Sequence, residues 1–248
     1  MSPNPILKVL FTLKKYKVKS LLIGGQACII YGAAEFSRDS DFVILCSSDN
    51  LNRLKKALNE LSADPIYVPE LKVFYLKRGH ACHFRCGAKE VEGLRIYVMA
   101  KLKGCDDFKK LWERRNTVLI EEAGNIDIIS LYDLVLSKKT QRDKDWLMLK
   151  RLVENDILLN KDNPNDKQVA WWLKECRNPD ILIELAQEYP EIAKNCSAKR
   201  TLIQFAFRKD AEKLISKLHD EEVIERQKDK EYWAPLKKEL ELLRHDAE

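Results

Sequence analysis

Two short motifs near the amino terminus carry residue types suited to phosphate and metal chemistry: Gly24-Gly25 after the apolar run Leu21-Leu22-Ile23, and Asp39-Ser40-Asp41 a short way downstream. Glycines at a strand-to-helix turn let the backbone approach a phosphate closely, and the free N–H groups of the following helix favour its negative charge. In an extended strand, residues two apart project to the same face, so Asp39 and Asp41 converge on one point. Paired carboxylates beside a phosphate cradle suit Mg²⁺ or Mn²⁺, hard ions that take a few carboxylate oxygens and fill the rest of the shell with water and substrate phosphate. Two such ions can clamp the attacking and leaving oxygens of phosphoryl or nucleotidyl transfer. Gly-Gly alone, or Asp-x-Asp alone, reads as ordinary turn chemistry. In this order and on these elements the two together read as a site.

The elements that must hold this pair follow from hydrophobic periodicity. The pattern predicts a helix over 6–15, a buried strand over 18–23 broken by the glycines, a helix over 26–31, a strand over 41–46, and a helix over 50–61 with Leu51, Leu54, Leu58 and Leu61 on one face. Further strands are predicted over 73–76, 80–85, 94–99 and 117–121. Together these give a mixed sheet with packed helices, an α+β or α/β domain over 1–128. Beyond it, helical spacing over 131–139, 145–154, 168–176, 180–188, 198–219 and 232–245, with Asn-Pro breaks, predicts a carboxy-terminal α-helical bundle over 129–248. The mixed-charge run 220–231 reads as a solvated helix face.

Composition narrows the class. With 45% hydrophobic and 33% charged residues the chain has the balance of a globular protein, and it lacks the roughly 18 uninterrupted apolar residues of a membrane span. Met1-Ser2-Pro3-Asn4-Pro5 leads into a Lys-punctuated amphipathic segment without the marks of a secretory signal, so a cytoplasmic location is expected. Seven scattered cysteines, an odd number, do not form a disulfide framework. A net charge of +5 spread along the chain permits a phosphate-bearing partner without the lopsided charge of a dedicated DNA-binding protein.

The block from Gly24-Gly25 to Asp39-Ser40-Asp41 resembles the signature of the DNA polymerase beta-like nucleotidyltransferase superfamily, and more narrowly its small bacterial two-domain members with a helical carboxy-terminal half. The likeness spans the sheet domain. The segment Ser137-Lys138-Lys139-Thr140-Gln141-Arg142-Asp143-Lys144-Asp145 also resembles the Lys and Arg-x-Lys-Asp element those proteins carry after the palm. The resemblance implies that Asp39 and Asp41 hold the metal and are catalytic, and that Gly24, Gly25, Gln26 and Ser37 surround a bound nucleoside triphosphate. It also implies that Lys139 and Arg142 contact nucleotide phosphates; the alternative for that segment is a salt-bridge network between domains. Gln26 stands where many relatives place Ser or Thr, so no hydroxyl contact to phosphate is implied there.

A larger departure comes at Leu94-Arg95-Ile96-Tyr97-Val98-Met99. Members of the superfamily draw a third carboxylate from a later strand, and its counterpart here is Tyr97. A phenol keeps its proton at neutral pH, which makes it a poor ligand for Mg²⁺ and a poor base. Three readings stay open: a nucleotide-binding relic with little activity, a site completed by Glu92, Asp106 or Asp107, and slow chemistry on two aspartates.

Other signals carry less. The soft ligands of His80-Ala81-Cys82-His83-Phe84-Arg85-Cys86 suggest zinc, but strand alternation puts His83 on the face opposite His80, Cys82 and Cys86; His83 or Arg85 would instead lie beside the substrate. The basic pair of Trp112-Glu113-Arg114-Arg115 reads as a favourable helix end and Trp171-Trp172 as core and interface residues. Three functions follow. The first is a metal-dependent transferase that moves a nucleotidyl group from a nucleoside triphosphate to a hydroxyl on RNA, a protein or a small molecule, in the setting of toxin–antitoxin or phage-defence systems that the resemblance implies. The second is a catalytically impaired nucleotide sensor or interaction module, and the third is RNA binding without catalysis.

Overall fold

The structure, a computed structural model, describes residues 5–121 and 124–245. The chain divides into two compact units: one runs to Ser137 and takes up the chain again from Tyr232, and the other is Lys138–Glu231. In order, the first unit contains α1 (Pro5–Lys15), β1 (Ser20–Ile23), α2 (Gly24–Ile30), β2 (Asp39–Ile44), α3 (Ser48–Glu60), β3 (Ala63–Pro65), α4 (Val73–Arg78), β4 (Cys82–Cys86), β5 (Arg95–Met99), α5 (Phe108–Glu113), β6 (Asn116–Ile120), β7 (Gly124–Ile128) and α6 (Leu131–Ser137). Its seven strands form one mixed sheet in the order β3-β4-β5-β2-β1-β7-β6. The pairs β2 with β5 and β1 with β7 are parallel, and the other neighbours are antiparallel.

One sheet face is closed by packing. Phe42 of β2, Ile96 and Val98 of β5, and Cys82, Phe84 and Cys86 of β4 are buried with Val9 and Leu13 of α1 and Leu51, Leu54 and Leu58 of α3 in a single cluster. The leucine stripe on α3 is the one its spacing predicts, and Ser47 caps the helix by accepting from the Asn50 N–H. Asn50 also locks the end of the β1–β2 pair. Its Oδ1 accepts from the Lys19 N–H at 2.8 Å, and its Nδ2 donates to the carbonyls of Lys19 and Leu45 at 3.0 and 2.9 Å.

Several predicted elements are corrected. Residues 73–76 are not a strand but the core of α4, which stops at Gly79 (φ 110°) with Lys77 and Arg78 in its last turn. Short apolar runs do not distinguish helix from strand, and a left-handed glycine following two cations is a helix ending. Strands β3 and β7 were not expected. In β7 the inward pair Ile126 and Ile128 alternates with Asn125 and Asp127, a period-2 pattern too brief to stand out. Strand β2 starts at Asp39 rather than 41, so both aspartates lie within it.

The second unit is helical, with α7 (Asp143–Asn160), α8 (Asp166–Glu175), α9 (Pro179–Glu188), α10 (Pro190–Ser197), α11 (Ile203–Phe207) and the start of α12 (Ala211–His245). Asn165 and Asn178 cap α8 and α9 through their side chains, and Pro179 sits in the first turn where its missing N–H costs nothing. The helix expected over 198–219 is broken after Phe207, with Lys209 in the left-handed region, into α11 and the start of α12; α12 then runs on through the 220–231 charge run into the helix expected over 232–245. The run is rich in helix formers and in pairs one turn apart, Arg226 with Glu222 at 2.7 Å and Lys228 with Glu225 at 2.8 Å.

The unit boundary therefore differs from the predicted 128/129 division. Helix α6 belongs with the sheet, and so does the end of α12: Glu239 accepts from buried His80 at 2.9 Å and pairs with Arg78 at 2.7 Å, while Leu236 is buried. Among the described residues no helix is long and apolar enough to cross a membrane. Asn50→Ala is expected to destabilise the chain by about 2 kcal/mol in urea unfolding, because it strands buried backbone groups at the β1–β2 end; an unchanged midpoint would show that Asn50 does not bind these strands together.

Candidate functional site

The register of the sheet assembles the site. Across parallel β2 and β5, Asp39 lies opposite Arg95 and Asp41 opposite Tyr97; across β4 and β5, His83 lies opposite Tyr97 and Arg85 opposite Arg95. Neighbours in register project to the same face, so His83, Tyr97 and Asp41 form one row and Arg85, Arg95 and Asp39 the next. Asp39 and Asp41 are half-buried, whereas Ser40 between them turns into the protein and is fully buried. The aspartates thus share the accessible face, as their spacing requires.

The glycines serve this geometry directly. Gly24 opens α2 at φ 67°, and a Cβ there would fall on the Asp41 carboxylate, 2.6 Å from its Cγ. A Cβ on Gly25 would lie 2.5 Å from the Ser37 hydroxyl oxygen. The close approach that the glycines permit is therefore made by Asp41 and Ser37, over a bend that remains half-buried. Gln26 donates to the Ser37 carbonyl at 3.0 Å, and the Ser37 hydroxyl donates to the Asp39 carbonyl at 3.2 Å. Gly24, Gly25, Gln26 and Ser37 consequently fix the start of β2, which presents both carboxylates.

Around Tyr97 the surroundings are aromatic and cationic. Its ring meets His83 edge-on at 4.5 Å, and Tyr67 also meets His83 edge-on at 5.6 Å. Burial pushes the His83 imidazole below its ordinary pKa against the pull of Asp39, so the ring is neutral at pH 7. Tyr97 hydrogen-bonds Arg95, which raises the guanidinium further above its ordinary value. Arg95 was not singled out from the sequence, although its place two residues before Tyr97 in a strand was enough to put it on this face. Tyr67 lies outside any strand, and no sequence signal pointed to it.

The three alternative carboxylates are elsewhere engaged or exposed. Asp106 pairs with Lys110 at 3.2 Å and Arg114 at 2.9 Å, Asp107 caps α5, and Glu92 is exposed in the turn before β5. Arg114 also grips buried Asp133, and Arg115 pairs with Asp127 at 2.8 Å while lying over Trp112. In the suspected zinc segment Cys82 and Cys86 face the core, His83 the opposite side, and His80 pairs with Glu239.

Lys139 and Arg142 belong to the second unit, where their charges have partners. The Lys139 ammonium lies 2.6 Å from Glu175 Oε2 without hydrogen-bond alignment, and Arg142 meets Asp145 at 2.7 Å. Asp145 is fully buried and also takes Lys138 at 3.0 Å and the Thr140 hydroxyl at 2.7 Å. Burial opposes its charge, but Lys138 and Arg142 outweigh that and hold the carboxyl below its ordinary value. In the same unit Trp172 is buried and donates to Asp156 at 2.7 Å, which assigns it to the core.

No protein-family model matches the chain, and no curated protein matches it. A solved structure from H. pylori, provisionally described as a nucleotidyltransferase, is similar over 92% of this chain and 94% of that one, with 16% sequence identity and a TM-score of 0.43.

Two outcomes follow from the geometry. Gly24→Ala combines a left-handed backbone penalty of about 1 kcal/mol with displacement of the Asp41 carboxylate; urea unfolding should show a loss larger than that backbone penalty alone, and an unchanged midpoint would refute the Gly24–Asp41 coupling. For Asp145, a depressed folded pKa means that its contribution is complete above the ordinary carboxylate range and is lost as pH falls through the folded value. Melting followed by circular dichroism should therefore show Asp145→Asn costing about 3 kcal/mol at pH 7 and much less at the acid end, where the native chain has lost the same interaction.

Proposed function

We propose that this chain binds a nucleoside triphosphate with Mg²⁺ at Asp39 and Asp41, in the manner of a nucleotidyltransferase, and that transfer of the nucleotidyl group to a hydroxyl acceptor is slowed by Tyr97. The observation that carries the reading is the β2–β5 register: both carboxylates stand on one accessible face, with the Tyr97 phenol directly beside Asp41. Among the described residues no group of three or more His, Cys, Asp or Glu could hold a metal ion. Two carboxylates do not make a dedicated cage, but they fit an ion that arrives with phosphate oxygens in its shell. When bound, that ion would supply charge neutralisation at the transferred phosphate.

The residues of the chain contribute position and proton balance. Asp39 and Asp41 orient the ion, and Gly24 leaves the Asp41 carboxylate its place. Arg95, on the Asp39 row, offers a cation for a phosphate on this face. Tyr97 puts a phenol where a third carboxylate would serve as base for the acceptor hydroxyl's proton, and the slowing of transfer rests on that exchange. The acceptor belongs to the hydroxyl-bearing classes of RNA, protein or small molecule.

A second reading, a nucleotide sensor or interaction module, is favoured by two observations: Tyr97 in place of a carboxylate, and the engagement of Lys139 and Arg142 by Glu175 and Asp145. One experiment separates the two. Calorimetry with each nucleoside triphosphate and Mg²⁺ should show binding to the native chain and none to an Asp39→Asn, Asp41→Asn variant; equal binding by both would remove the site. With labelled nucleotide, Tyr97→Asp should raise product formation by about 100-fold. Rapid transfer by the native chain without further gain in the variant would defeat the proposed block, and no product from either would leave the sensor.

A further inference from the structure

A second cleft opens at the other end of β2. The parallel strands β2 and β5 finish at Ile44 and Met99, and the chain leaving both enters the lining of a cavity of about 560 Å³ within the first unit. Roughly 13 Å of extended chain separates Asp41 from the first lining residue, Leu45, so this cavity is distinct from the aspartate pair. Open sheets commonly take ligands beyond the carboxyl ends of their parallel strands, and the volume suits one small organic molecule.

The lining has two characters. Leu45, Leu102 and Phe108 supply apolar wall, while Lys77, Lys101 and Lys109 bring ammonium groups from α4, from the chain after β5, and from α5. None of these three lysines has a carboxylate partner among the described residues. The acidic members of the lining have other work: Asp106 is paired with Lys110 and Arg114, and Asp107 caps α5. Burial raises the Cys46 thiol pKa while the charges of Lys77 and Lys101 pull it back, which places both ammonium groups within electrostatic reach of the Cys46 wall. Lone lysines act as point charges and so suit a compact, highly charged oxyanion.

We propose that this cleft is a second binding site, for a small organic phosphate whose apolar body lies against Leu45, Leu102 and Phe108 and whose phosphate meets Lys77, Lys101 and Lys109. An anion held by exposed ammonium groups binds in a salt-dependent way, and the apolar wall distinguishes an organic phosphate from the bare ion.

The probes are 1-naphthyl phosphate and inorganic phosphate, titrated calorimetrically into the full chain without divalent ion at low and moderate salt. Naphthyl phosphate should bind at least about tenfold more tightly than inorganic phosphate, and its affinity should fall with salt. A Lys77→Gln, Lys101→Gln variant should lose about tenfold or more while keeping the native melting temperature, and Asp39→Asn with Asp41→Asn should leave the binding unchanged. The proposal is overturned if the lysine variant binds as the native chain does, if inorganic phosphate binds as tightly as the naphthyl ester, or if the aspartate variant alone abolishes binding. The aspartate variant also keeps this test separate from that of the nucleotide site.

Discussion

The Asp41 carboxylate occupies the space that a side chain on Gly24 would need, and the start of the sheet is organised around that exclusion. Because β1 runs into α2 through a left-handed glycine, the chain turns sharply enough for β2 to lie antiparallel to β1 with Ile23 opposite Asp41. Gly25 admits Ser37 in the same way, and Ser37 is tied to Gln26 and to the Asp39 backbone. The two glycines thus position carboxylates first. The space over the bend is taken by the Asp41 carboxylate and the Ser37 side chain.

Charge buried in each unit is held in close pairs. Buried charges are paired: Lys138 and Arg142 surround Asp145, Arg200 and Arg177 hold Glu221, and Arg114 holds Asp133. Such groups carry a desolvation cost that only a close partner offsets, so their first role is structural. On the half-exposed β2–β5 face Asp39 and Asp41 stand beside Arg95, and the cleft beyond the far end of those strands is lined by Lys77, Lys101, Lys103 and Lys109. The two ends of one parallel strand pair therefore differ: one mixes two aspartates with two arginines, and the other carries an excess of lysines.

Tyr97 sets the chemistry of the row that contains Asp41. It stands in register with Asp41, within a row continued by His83, and lies close enough to Arg95 to raise that guanidinium above its ordinary value. Replacing a carboxylate by a phenol keeps the shape of the strand and its aromatic packing while removing a negative charge and a base.

The glycine pair, the aspartate pair, the leucine stripe of α3 and most helices of the second unit were legible in the sequence, because each depends on spacing of 2 or 3.6 residues and on local turn chemistry. Even the alignment of Arg95 with Tyr97 was within reach of strand alternation. Tertiary structure alone decided the rest. Residues 73–76 have an apolar pattern that fits helix or strand, and burial of Leu76 with a stop at Gly79 selected the helix. Nothing near Glu239 in sequence announces His80 and Arg78, so the return of α12 to the sheet unit was hidden, as was the gathering of Lys77, Lys101 and Lys109 at one cleft. Local pattern fixes which way a side chain points along its own element; which distant element it meets depends on strand register and packing, which no short stretch of sequence contains.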